Sequence, residues 1–382
     1  MRTASWTRSS SSTAKNDLMR TVREGAATLK VGNGVFYNPR MSKLRDISVI
    51  FLKASGLRKA RLLDTTAATG VRGIRYKLES RVGEVTMLDI NDSAYRNARS
   101  NARLNRISAR VMGKSLQEFA GSAHEAFDII DIDPFGSPAP MVHDALKVSH
   151  NGTLLMVTAT DTATLCGAEA SACLRIYGSK PIHNELCHES SVRILLSFIA
   201  REAAQFNFGI VPLLSIADMH YVRVFLSLER GAKAAAESAD TSGFLSYCDR
   251  CHNFSFKKGI AAIAGTKCGN CKAKMRVYGP MWLGDTRDKA LVSKMLKISG
   301  SYPRESRGLL ETINGELDIP FFYSIPKMTS RLGLGSISPD LVAKALGKTH
   351  SVSRTHFEKD SLKTTASVSL VAGAVKRLGG KK

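Results

Sequence analysis

Phe127-Asp128-Ile129-Ile130-Asp131-Ile132-Asp133-Pro134-Phe135-Gly136-Ser137 is an apolar run that turns acidic and then stops. Phe127, Ile129, Ile130 and Ile132 have the β-branched and aromatic character of a buried strand. Pro134 has no N–H for a sheet ladder, so it marks the strand's carboxyl end. Asp133 and Phe135 therefore project from the end of a strand, which is where open α/β sheets bind their ligands. An acid beside an exposed aromatic there suits a flat ring that carries an amine. Read alone, the same residues are equally an ordinary strand followed by an Asp-Pro turn.

The flanking sequence favours the sheet. Arg61–Asp64 and Glu84–Leu88 read as strands, Ser93–Asn105 as a helix and Ala109–Met112 as a weak strand. After the opening stretch come a helix over Ala139–Val148 and the very apolar strand Thr153–Ala159. This alternation predicts an α/β fold with a parallel, doubly wound sheet. Upstream, Arg40–Lys53 has helical apolar spacing; downstream, His183–Phe206 reads as a long helix followed by two closing strands at 210–214 and 220–228. Residues 230–243 are small and polar, and the domain boundary is placed there. The layout is a basic Ser-rich leader over 1–20, a domain over 21–232 and a second domain over 243–382.

Asp64 ends a strand, and the small-residue loop after it contains Gly70 and Gly73, which let a ligand approach the backbone. Asp89 ends the next strand 25 positions later, where a carboxylate can accept two ribose hydroxyls. Neither a Gly-x-Gly-x-x-Gly fingerprint nor a P-loop occurs. The pattern prefers a nucleoside cofactor without phosphates, S-adenosyl-L-methionine being the common one; a structural Gly turn fits the spacing as well.

Cys248-Asp249-Arg250-Cys251 and Cys268-Gly269-Asn270-Cys271 are separated by 16 residues. Two such knuckles present four thiolates to Zn²⁺ and leave no open coordination position, so a structural zinc ribbon is expected over 247–277. Lys257, Lys258, Lys267, Lys272, Lys274 and Arg276 surround it. The whole chain has 55 Lys and Arg against 33 acids, a formal charge of +22, which predicts a polyanionic partner, nucleic acid first. No apolar run nears the roughly 20 residues that span a bilayer, so no membrane role is expected. Seven cysteines in 382 residues are wrong for a disulfide scaffold and fit a reducing cytoplasm. Cys166, Cys173 and Cys187 read as packed thiols, and His183, His188 and His220 as satisfied or surface histidines. Lys327–Leu332, Pro339–Leu346 and Val352–Phe357 read as helix, helix, strand, compatible with a winged-helix-like module.

Several motifs, in order, carry a specific resemblance: Phe36-Tyr37-Asn38-Pro39-Arg40-Met41 with Arg45-Asp46, residues 68–75 (ATGVRGIR), 131–138 (DIDPFGSP), 158–167 (TATDTATLCG), 185–189 (ELCHE), 279–284 (GPMWLG) and 354–357 (RTHF). Together they resemble the tRNA (guanine-26-N2)-dimethyltransferases, and the compact length is closest to the archaeal members. The resemblance implies a class I, Rossmann-like S-adenosyl-L-methionine-dependent methyltransferase domain; the basic charge and the cysteine pairs add the expectation of a smaller α+β C-terminal domain that binds tRNA and carries the zinc ribbon, a ribbon that only some relatives share. It implies methylation of the exocyclic N2 of guanine-26 in tRNA, two methyl groups being expected, with no obligate protein partner. By matched position, Arg45, Arg72 and Asp89 would hold the cofactor, with Gly70 and Asp64 shaping its loop. Asp133 would be the catalytic acid group, and Phe36 and Phe135 would sandwich the guanine.

One position departs from the family. Where relatives carry an acid for the adenine, this chain reads Gly113-Lys114-Ser115-Leu116, which leaves Glu118 or a backbone amide for that task. A competing expectation is a non-catalytic zinc-ribbon nucleic-acid-binding protein on a degenerate methyltransferase fold.

Overall fold

The computed structural model describes residues 19–218, 220–259 and 261–380. Nearly all of the expected leader lies outside them; Arg20, assigned to it, already opens a strand. A hairpin of β1 (Arg20–Glu24) and β2 (Ala27–Val31) leads into α1 (Ser42–Ser55). Then follow β3 (Arg61–Asp64), α2 (Val71–Glu79), β4 (Glu84–Leu88), α3 (Asp92–Leu104), β5 (Arg110–Met112), α4 (Leu116–Ser122) and β6 (Phe127–Ile132). The next elements are α5 (Ala139–Lys147), β7 (Ser149–Ala159), α6 (Thr162–Leu165), α7 (Ala170–Tyr177), α8 (Cys187–Ala204), β8 (Phe208–Asp218) and β9 (Tyr221–Arg230).

Seven of these strands form one sheet in the order β5-β4-β3-β6-β7-β9-β8. Neighbours from β5 to β7 run parallel, while β9 is antiparallel to both β7 and β8. The chain order reverses between β3 and β6, so the carboxyl ends of those two strands flank the topological switch point where such sheets bind ligands. Because a parallel sheet is covered on both faces, its strands read as continuous apolar runs. One face is covered by α4, α5 and α8, whose buried residues include Phe119, Val142, Leu195 and Ile199. The other is covered by α1, α2 and α3, with Ile47, Ile50, Ile74 and Ala98.

The small polar segment at 230–243 is α9 (Ala232–Asp240), a helix rather than a loop, and it packs so closely on β8 that a Cβ at Gly209 would lie 2.5 Å from the Ala234 carbonyl oxygen. Alanine supplies the propensity there, a signal that composition alone reads as a linker. Beyond it come β10 (Ser242–Tyr247), β11 (Phe254–Lys258) and β12 (Arg276–Trp282), a three-stranded sheet ordered β11-β10-β12. Helices α10 (Lys289–Ile298) and α11 (Arg304–Gly315) bury Val292, Met295, Leu310 and Ile313 in the same apolar cluster as α1, so core packing runs across the segment assigned to the boundary.

The final module is β13 (Tyr323–Ser324), α12 (Ile325–Arg331), α13 (Pro339–Leu346), β14 (Val352–Arg354), β15 (Ser361–Thr364) and α14 (Val368–Gly379). Its sheet runs β13-β15-β14, and α14 completes a small core of Ile325, Val342, Leu362, Val371 and Val375. The expected helix, helix and strand are therefore present, with two further strands and a closing helix added.

A buried ionic joint fastens this module to the seven-stranded sheet. The Glu189 carboxylate on α8 accepts from Arg193 Nη2 at 2.6 Å and from the Phe321 amide at 2.8 Å, and Lys363 Nζ lies 3.3 Å away. Arg193 also donates to the carbonyls of Trp282 (2.9 Å) and Gly284 (3.1 Å). Glu316 joins Lys363 (3.7 Å) to His356 Nδ1 (2.6 Å). Residues 185–189, 279–284 and 354–357, quoted above as sequence motifs, thus converge on one joint rather than on the carboxyl ends of β3 and β6.

Candidate active site

The site is built at the β3/β6 switch point. Asp64, the last residue of β3, is fully buried and accepts the amides of Gly73 (3.2 Å) and Thr66 (3.4 Å), which fixes the loop from β3 into α2. Burial first, then the neighbouring Asp131 carboxylate, pushes its acid up to about 7 against the pull of Arg72. Gly70 has φ +79°, and a Cβ there would press on Ala98 and Ile74 at 3.2 Å, so only glycine lets α2 begin against α3. Asp89 at the end of β4 accepts Ala68 N at 2.8 Å and Asn91 N at 2.9 Å, and it stays partly exposed. Its oxygens keep lone pairs free for the two hydroxyls of a ribose.

Beside Asp89, Ile90 is 76% exposed, an apolar face at the strand end that periodicity did not single out. A partly free acid next to an exposed apolar surface, with a Gly-bearing loop opposite, fits a nucleoside cofactor. Glu118 is engaged otherwise. Its carboxylate accepts Ser115 N (2.8 Å) and Ser115 Oγ (3.0 Å), a capping box at the start of α4.

The two acids of the opening stretch diverge sharply in surroundings. Asp131 is fully buried, accepting Tyr76 OH at 2.6 Å and both of its oxygens lying within 3.0 Å of Arg223 Nη2 on β9. Asp133 reaches the surface with 21% of its side chain exposed and pairs with Arg72, whose Nε donates to Oδ2 at 2.7 Å. Burial pushes the Asp133 acid up, but the Arg72 and Arg223 guanidinium groups outweigh it and hold the carboxyl below its usual range. Asp133 is therefore charged at neutral pH. Arg72 is itself buried between the two acids, with Nη1 3.8 Å from Asp131 Oδ2 and Nη2 2.5 Å from Asp133 Oδ2.

The loop after Asp133 is pinned on both sides. Gly136 N donates to Thr160 Oγ1 at 2.7 Å, Thr160 N donates to Gly136 O at 2.9 Å, and Ser137 Oγ meets Tyr177 OH at 2.7 Å. Phe135 is consequently held outward, 73% exposed, and Phe36 approaches from the loop before α1, 50% exposed. Their ring centroids are 4.5 Å apart at an interplanar angle of 87°. A base held between two faces needs two stacking distances of about 3.4 Å, so this edge-to-face pair must open before it can hold a guanine.

Arg45, expected beside the cofactor, is buried and paired with Glu24: Nε to Oε1 is 2.6 Å and Nη2 to Oε2 is 2.5 Å. It also donates to Asn38 O at 3.0 Å and stacks over Tyr37, so it braces the loop that carries Phe36. The sequence brings Asp133, Arg72, Phe36 and Phe135 together in the fold; Arg223 and Tyr76, which complete the acid network, have no sequence motif of their own and are visible only once β9 closes the sheet.

The four ribbon cysteines converge as spacing predicts. Cys248 and Cys271 sulfurs are 3.5 Å apart and Cys251 and Cys268 sulfurs 3.6 Å, all four lying within 4.8 Å of one another. Zinc–sulfur bonds of about 2.3 Å place tetrahedral ligands about 3.8 Å apart, so the set fits Zn²⁺. Lys257, Lys258, Lys267, Lys272, Lys274 and Arg276 around it are exposed. Among the described residues no helix is long and apolar enough to cross a membrane.

The sequence model of the N2,N2-dimethylguanosine tRNA methyltransferase family matches residues 17–376. The chain is 36% identical to a tRNA (guanine(26)-N(2))-dimethyltransferase of Methanothermobacter thermautotrophicus, covering 92% of this chain and 97% of that protein. It is also 36% identical to the enzyme of that name from Thermococcus kodakarensis, covering 94% and 99%. The solved complex of Trm1 from Pyrococcus horikoshii with S-adenosyl-L-methionine superimposes with a TM-score of 0.86 at 33% identity, covering 93% of this chain and 99% of that one. The sheet order, the strand-end acids and these full-length similarities have one reading: the chain belongs to the N2,N2-dimethylguanosine tRNA methyltransferase family.

Proposed function

We propose that this chain transfers two methyl groups from S-adenosyl-L-methionine to the exocyclic N2 of guanine-26 in tRNA. The observation that carries the reading is the Asp133 carboxylate, kept charged by Arg72 at the end of β6 beneath the exposed Phe36–Phe135 pair. The lone pair of guanine N2 is delocalised into the ring, so the amine is a poor nucleophile. A charged carboxylate that accepts its N–H aims the nitrogen and offsets the positive charge that develops as it attacks. The cofactor, when bound, supplies an electrophilic methyl group on sulfur. Asp89 and the backbone near Gly70 hold its nucleoside, Asp64 fixes their loop, Arg72 places a positive charge beside its methionine end, and Arg45 acts through the Phe36 loop. Incubating the purified protein with unmodified tRNA and the cofactor, then digesting to nucleosides, tests the reading by mass spectrometry: absence of N2-methylated guanosine overturns it.

Phe135→Ala is expected to weaken tRNA use by about 5–150-fold in kcat/KM, since stacking is worth roughly 1–3 kcal/mol per base. An unchanged value would remove Phe135 from the base site. The basic ribbon face and the C-terminal module are assigned to gripping the tRNA backbone, and the cell compartment to the cytoplasm, where tRNA and reduced thiols coexist. Four thiolates of the ribbon are assigned to one structural Zn²⁺. Cys251→Ser should release that ion and loosen the ribbon; elemental analysis that finds the zinc content of this variant equal to that of the parent would refute the site. A non-catalytic role finds no support in a chain that retains Asp133, Phe135 and Gly70.

A further inference from the structure

We propose that Cys166, Cys187 and His188 form a second metal site, separate from the ribbon, that binds Zn²⁺ through two thiolates and one imidazole. In sequence the three look unrelated: Cys166 follows α6, and Cys187 and His188 open α8. In the fold the two sulfurs and a His188 ring nitrogen all lie within 4.8 Å of one another. Donors around one tetrahedral zinc are separated by about 3.5–3.8 Å, a contraction that small side-chain rotations supply.

The histidine is prepared for the role. His188 Nδ1 is 3.0 Å from the Phe357 carbonyl oxygen, a group that only accepts, so Nδ1 carries the proton and Nε2 keeps its lone pair. A ring nitrogen fixed by a backbone carbonyl is the usual support behind a metal-binding imidazole. The surrounding backbone is fixed as well: His183 Nδ1 is 2.9 Å from Cys166 O, and Ser191 Oγ donates to His188 O at 2.6 Å. All three ligands are partly exposed, so an ion can enter from solvent and a water can take the fourth position.

The position gives the site a task. Cys166 closes the segment that begins at Thr160, which clasps Gly136 of the Asp133 loop, and His188 touches Phe357 of the C-terminal module. An ion here would tie the loop beside the reaction site to α8 and to the joint between the two parts of the chain.

The test is zinc per chain, by elemental analysis of the full-length protein purified under reducing conditions and freed of loose metal. The native protein is expected to hold two zinc ions, Cys251→Ser one, Cys166→Ser and Cys187→Ser one each, and Cys187→Ser in the Cys251→Ser background none. Cobalt loaded into Cys251→Ser should give a thiolate-to-cobalt charge-transfer band that Cys187→Ser removes. One zinc in the native protein overturns the proposal whether or not the variants fold, and so does a Cys166–Cys187 disulfide found in it by peptide mass spectrometry.

Discussion

Replacing Asp133 by alanine is expected to slow methyl transfer by at least about 10²–10³-fold while leaving tRNA affinity nearly unchanged. The asymmetry follows from where the carboxylate acts. Its hydrogen bond to the amine strengthens as positive charge develops, so its removal is felt in the transition state far more than in the bound complex. Asp133→Asn is the sharper variant, because the amide keeps an acceptor for Arg72 and leaves the loop in place while removing the charge. Both should bind tRNA like the parent; a Kd that rises as steeply as kcat falls would recast Asp133 as a binding residue.

The pH dependence has a definite sign. Arg72 and Arg223, outweighing burial, hold this carboxyl below the ordinary value of 3.8, so its charge is complete throughout the neutral range and is lost only as pH falls through that lower value. Asp133 therefore contributes no inflection to a rate profile between about pH 5 and 8. A carboxylate that stays charged throughout this range is ready to orient the amine as it attacks and to take the proton that the nitrogen then releases.

The second large effect is structural. Glu189→Ala is expected to destabilise the protein by about 3–5 kcal/mol, since it strands Arg193 in a dry joint without its counter-charge and leaves Lys363 only the longer pair with Glu316. Burial pushes the Glu189 acid up, and Lys363 and Arg193 together hold it down, so the group is charged in the folded protein. Glu311→Ala is the control: its pair with Arg307 is half-exposed on one helix face and should cost less than about 0.5 kcal/mol. The denaturant midpoints of the two variants check this, and equal midpoints would show that the joint is not held by its ions.

Much of the sheet was legible because buried parallel strands are rich in apolar residues, and Phe127–Ile132, Thr153–Ala159 and Glu84–Leu88 are mostly apolar, with acids or threonines between. The Asp-Pro break marked where the strand delivers its acid. The helix α9 was hidden because alanine and small polar residues serve linkers and helices alike, and α10 and α11 because their apolar faces have meaning only against α1. At the site, the identities of Asp133, Phe36 and Phe135 were readable, but their contacts were not. Arg72 turns out to serve Asp133 directly, Arg45 is spent on Glu24, and the two phenylalanines rest against each other. Long-range ion pairs leave no local signature: nothing near Asp131 announces that Arg223 will arrive 92 residues later.

That separation bears on how the protein is made. Glu189 enters the polypeptide 174 residues before Lys363, an interval of roughly 10–35 s at synthesis rates of about 5–20 residues per second. Throughout it, the end of α8 emerges from the ribosome with an acid whose final neutraliser does not yet exist. The sheet can form, and Arg193 can give Glu189 provisional company, but the joint cannot dry until the last strand of the C-terminal module is translated. Nascent chains that stop short of residue 363 should accordingly remain protease-sensitive around α8 even though every strand of the catalytic sheet has already been synthesised.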